Sequence, residues 1–93
     1  MFARNKQKTI IIAQFFVFFA IPLMNAREVV SVLKKLGFVF KRQVGSHMFF
    51  EHPDGRTTVI PNHPGEEIDR GLLNKIIKHD IQITREEFIR LIK

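Results

Sequence analysis

Apolar residues recur at Val29, Val32, Leu33 and Leu36, the i, i+3, i+4, i+7 spacing of one helix face. The spacing predicts a helix over Asn25 to Leu36. Asn25 and Glu28 form the N-x-x-E pattern of a capping box at its start. Gly37 stands where a left-handed residue closes a helix, and Lys34 and Lys35 suit the negative end of the dipole. The period then changes. Phe38 to Val44, His47 to His52 and Arg56 to Ile60 are short runs rich in aromatic and β-branched residues, which predicts three strands. Gly45-Ser46 breaks the first two, and Pro53-Asp54-Gly55 is a strong turn between the second and third. Hairpin links of this length make the sheet antiparallel. Asn62 to Glu67 reads as a loop. A second helix follows over about Asp69 to His79, with Leu72, Leu73, Ile76 and Ile77 on its apolar face. Gly71 weakens its start by about 1 kcal/mol. Thr84 and Glu87 open a second capping box before a short terminal helix that buries Phe88, Leu91 and Ile92. Strands grouped together and flanked by helices predict an α+β two-layer domain.

Residues 1–23 follow none of these periods. Ile10 to Leu23 is a nearly unbroken apolar run behind the basic stretch MFARNKQK, similar to the n- and h-regions of a signal peptide. It is short for a bilayer span, which needs about 20 apolar residues. Gln14 and Pro22 interrupt it. No small-x-small cleavage site follows, and a cut after Ala26 would remove the Asn25 cap. Two readings stay open: an extension before a true start at Met24, or a membrane-proximal segment that leaves contact with a membrane to residues 10–23. The body is expected over residues 24–93.

The 93-residue chain has room for one small domain. Its net charge is +6, of which Arg4, Lys6 and Lys8 give half. The body carries 12 Lys or Arg against 9 Asp or Glu, a mild excess that suits a polyanionic partner without requiring one. The chain has no Cys. That excludes a disulfide framework and thiolate metal sites, and it fits a reducing, cytoplasmic setting.

The candidate chemistry rests on four histidines, His47, His52, His63 and His79. His47 and His52 match an H-x4-H zinc spacing, but on one strand their opposite parity places them on opposite faces. No metal site and no cofactor are therefore expected. The five glycines lie at helix ends and turns, outside any phosphate-loop spacing, and no G-x-S-x-G elbow is present. Ser46 beside His47 does not make a serine hydrolase. His47 follows Gly45-Ser46 at a strand start, where a side chain can project to a ligand. An imidazole with an ordinary pKa near 6.5 can give or take a proton at neutral pH. RNA cleavage needs such a group, with cations to stabilise the phosphorane. Lys41, Arg42 and Arg56 are candidates for that. A solvated or capping histidine is the plainer alternative for His47. His63 reads as loop packing, His52 as a turn cap, and His79 as a helix C-terminal residue. Lys75 and Lys78 read as a solvated helix face.

Taken together, Gly45-Ser46-His47, Pro53-Asp54-Gly55-Arg56, Pro61-x-His63 and Gly65 closely resemble the HicA (YcfA-like) toxin family. Asn25-Ala26-Arg27-Glu28-Val29-Val30 through Leu36-Gly37-Phe38 is similar to that family's first helix, and Gly71 to Ile77 to its second. The resemblance covers residues 24 to about 92. It implies a double-stranded-RNA-binding-domain-like α-β-β-β-α fold. It also implies metal-independent mRNA endoribonuclease activity, with catalysis by His47 and neutralisation by a HicB-type antitoxin. Lys41, Arg42, Ser46, Arg56 and His63 are the RNA contacts expected around His47. Two features depart from the pattern: the upstream segment, and Glu66-Glu67 where the family often has Lys after Gly65. A non-catalytic RNA-binding module and a small cationic membrane-associated protein remain as competing readings.

Overall fold

The computed structural model describes residues 21–92. The basic segment and most of the apolar run upstream lie outside the described residues. Helix α1 spans Ala26–Leu36, and strands β1, β2 and β3 span Val39–Val44, His47–Glu51 and Thr57–Pro61. Helix α2 spans Arg70–Lys75 and runs directly into a π-helical segment, Ile76–Ile81. Helix α3 spans Arg85–Leu91. The strands form one antiparallel sheet in the order β1-β2-β3. The α+β layout expected from the pattern is present, and its α-β-β-β-α order is that of a double-stranded-RNA-binding domain. Among the described residues, no helix is long and apolar enough to cross a membrane.

Helix ends are fixed by side chains. Asn25 accepts from the Glu28 amide at 2.9 Å while Glu28 accepts from the Asn25 amide at 2.9 Å. Thr84 and Glu87 repeat the arrangement at α3. Each such cap is worth about 1 kcal/mol. Gly37 closes α1 with φ 97°. A side chain there would also meet His52 Nε2, which lies 3.2 Å from the ideal Cβ position.

Parity divides the sheet. Met48, Phe50, Thr58 and Ile60 face the helices, and Phe50, Thr58 and Ile60 are buried. Val29, Val32 and Leu33 of α1 pack with Leu73, Ile76, Ile77, Ile81 and Phe88 in the same core. An irregularity between Phe40 and Arg42 shifts the β1 register. The chain before α1 belongs to this body as well. Met24 and Ile21 are core residues, Ile68 donates to the Met24 carbonyl at 2.7 Å, and Arg70 Nη1 donates to the Ile21 carbonyl at 3.0 Å.

The π-helical segment is the main difference from the expected α-helix over Asp69 to His79, and its cause is visible in the sequence. An α-helix would place position 80 on the face of Ile76, and position 80 is an aspartate. The chain instead widens one turn, with i→i+5 bonding. Ile76 and Ile81, five residues apart, are then both fully buried. Gln82, with φ 61°, closes the segment by donating its amide to the Ile77 carbonyl at 3.0 Å.

Candidate functional site

His47 is placed by a two-residue turn. Val44 pairs with His47 across Gly45-Ser46. Gly45 takes φ 59° and Ser46 is not among the residues with positive φ, the Gly-first pattern of a type II′ hairpin. The turn is tied down on two sides. Gln43 Nε2 donates to the Gly45 carbonyl at 2.9 Å, and the Asn62 amide donates to the Ser46 carbonyl at 2.7 Å. His47 therefore begins the central strand, between Val44 and Pro61, with an exposed side chain. Paired residues share a face, so Val39, Arg42, Val44, His47, Phe49 and Val59 lie on the sheet face opposite the helices.

The expected site residues separate into two groups. Ser46, Arg42 and His63 lie near His47. Arg42 stacks its guanidinium 4.3 Å from the centre of the Phe49 ring, one alternate position along β2 from His47. His63 is exposed and follows Pro61 and Asn62, the two residues joined to His47 and Ser46. It lines a cavity of about 420 Å³ with Arg27, Asn62 and Met48. Lys41 and Arg56 belong to the far end of the sheet. Lys41 lies 3.7 Å from the Glu51 carboxylate, both well exposed. Arg56 follows the second turn, five residues before Pro61, the strand partner of His47, or about 17 Å along the strand. Its Nε donates to Asp54 at 2.9 Å, its Nη1 to the Ile81 carbonyl, and its guanidinium lies 5.2 Å from the Phe38 ring centre. The Arg56 side-chain hydrogen bond, foremost, holds the Asp54 carboxyl below its ordinary pKa. Arg56 thus braces the turn against the π-helical segment.

His52 sits where its turn-cap role was expected and also reaches further. Its Nε2 lies 3.0 Å from the Leu36 carbonyl, its ring meets Phe38 at 5.1 Å, and its Nδ1 faces Asp54. It caps the C-terminus of α1 and the second hairpin together. His79 is exposed on the π-helical segment. Among the described residues, no three His, Cys, Asp or Glu side chains come together as a metal site.

The structure adds two residues that sequence reasoning missed. A cleft of about 380 Å³ runs between β3 and α2, and His47 lines it together with Thr58, Val59, Lys75 and Asp80. Thr58, the one buried polar residue among those described, donates its hydroxyl to Asp80 Oδ2 at 2.9 Å. The only sequence signal for Asp80 was a carboxylate at a position that helical spacing reserves for the core.

No curated protein matches the chain. The family model described as the HicA toxin of bacterial toxin-antitoxin matches residues 26–80, which run from the first helical residue through the whole sheet to Asp80. The match includes the Gly45-Ser46-His47 turn and covers more than half of the chain, so the chain belongs to the HicA toxin family of bacterial toxin–antitoxin systems.

Proposed function

We propose that this toxin is an mRNA endoribonuclease and that His47 is its catalytic residue. The observation that carries the reading is the placement of His47. It stands exposed at the head of the central strand, on a turn held from both sides, and lines a cleft with a lysine and a carboxylate. Rigid presentation of an imidazole that can give or take a proton is what transesterification of RNA asks for. The 2′-hydroxyl loses its proton and its oxygen attacks phosphorus. The bond to the 5′-oxygen breaks, and that oxygen takes a proton. The products are a 2′,3′-cyclic phosphate and a 5′-hydroxyl. His47 carries out one of the two proton transfers. Arg42, Ser46 and His63, at the same end of the sheet, contact the flanking phosphates. Lys41, exposed at the far end, adds a cation to that surface, while Arg56 acts indirectly by bracing the second turn.

His47 itself moves the proton in this scheme, so no metal is needed. The purified protein is expected to cut mRNA at the same rate with and without excess EDTA, followed on a denaturing gel. A strict requirement for an added divalent ion would overturn the scheme.

The proposed partner is a HicB-type antitoxin in the cytoplasm that covers the His47 face. Val44 and Val59, on either side of the central strand, are 59% and 36% exposed, and Val39 is 53% exposed. Apolar surface of this kind beside a catalytic group suits a protein partner. The inactive complex is expected to bury His47. An inactive complex in which a diethylpyrocarbonate probe still modifies His47 at the free-protein rate would contradict occlusion.

A further inference from the structure

We propose that the cleft between β3 and α2 holds the nucleotide next to the scissile phosphate, with Asp80 reading its base and Lys75 holding its phosphate. The inference rests on His47 as the cutting residue and names what lies beside it. Thr58 stands three positions along β3 from Pro61, the strand partner of His47, which is about 10 Å. Asp80 is anchored to β3 at Thr58 by its hydrogen bond there. Lys75, five residues before Asp80, lines the same cleft. The cleft is lined by an imidazole, a cation and a carboxylate. Its volume of about 380 Å³ lies within the range of about 300–1,000 Å³ typical of small-ligand sites.

The chemistry of each group limits what it can bind. An ionised carboxylate only accepts hydrogen bonds. Oδ2 of Asp80 already accepts from Thr58. The remaining acceptor capacity suits a base whose edge carries an amino group, as the cytosine N4 amine does. Uracil offers carbonyl oxygens where cytosine offers that amine, so Asp80 repels it. Lys75 is an exposed point charge at the end of α2, suited to a phosphate oxygen. The π-helical turn makes the arrangement possible. It buries Ile81 and leaves Asp80 turned to Thr58 and the cleft.

The test uses the full chain carrying His47→Ala, so that RNA stays intact, with short oligocytidylate and oligouridylate as probes. Oligocytidylate is expected to bind about 5- to 100-fold tighter. Adding Asp80→Asn should reduce that ratio towards one, because an amide both donates and accepts. The amide oxygen can still accept from Thr58, and thermal melting checks that the fold persists. Adding Lys75→Gln should weaken both probes alike and lower the salt slope of binding by about one. Equal affinity for the two probes in the parent protein would overturn base reading by Asp80, whatever the variants do. An unchanged salt slope in Lys75→Gln would overturn the phosphate contact. Selective binding by a chain whose native form cuts no RNA would refute the nuclease reading and leave base reading by Asp80 as the property of an RNA-binding cleft.

Discussion

His47→Ala is expected to reduce RNA cleavage by about 100- to 10,000-fold, the usual cost of losing a general acid or base. Toxicity on expression should disappear with it. The fold should survive. His47 is exposed, and its strand pairing uses backbone atoms that alanine retains. An exposed substitution of this kind costs about 0.5 kcal/mol or less. Rate and stability therefore separate, and each can be measured: mRNA cleavage on a gel, and thermal melting by circular dichroism. A folded His47→Ala protein that cuts at the native rate would remove His47 from the mechanism. An unfolded one would show that the histidine is structural. His63→Ala is the comparison. His63 is also exposed and at the same end of the sheet, and a partial loss of rate is expected there.

Phe88→Ala is expected to destabilise the protein by about 3–5 kcal/mol, the range for removing a fully buried aromatic side chain. Phe88 is completely buried and belongs to the same core as Val29, Leu33 and Ile81. A domain this small has only about 5–15 kcal/mol in total. The substitution should shift the urea midpoint by a large fraction of its value without changing the slope. Because α3 is tied to α1 by Lys35 Nζ donating to the Leu91 carbonyl at 2.8 Å, the loss should spread to the first helix. An unchanged midpoint would mean that α3 packs as a dispensable appendage.

The elements that the sequence announces are those whose signal is local. Asn25 with Glu28, Thr84 with Glu87, and Gly37 mark helix ends within three or four residues, and all three act as read. The two hairpins are equally legible, because Gly45 and Pro53-Asp54-Gly55 leave the backbone few alternatives. The position of His47 at the head of the central strand is legible for the same reason. Contacts between distant segments were not legible. Arg56 reads as an available cation until Ile81, 25 residues later, turns out to accept from it. Lys75 reads as solvated because nothing near it in the chain reveals that β3 lies opposite. Ile21 and Met24 are core residues hidden at the end of an apolar run without a period, where no spacing separates a packed residue from its neighbours.

The widened turn also bears on how likeness to other chains should be interpreted. A π-helical turn carries one residue more than the α-helical turn it replaces, so every position after it is displaced by one against a chain that lacks it. The match to the family ends at residue 80, inside this turn. The core does not end there, since Ile81 and Phe88 are both fully buried. An alignment carried past residue 80 without a one-residue gap would pair core positions here with surface positions in an all-α relative. Aligning on Ile81 and Phe88 instead would restore the correspondence and carry the comparison through the terminal helix.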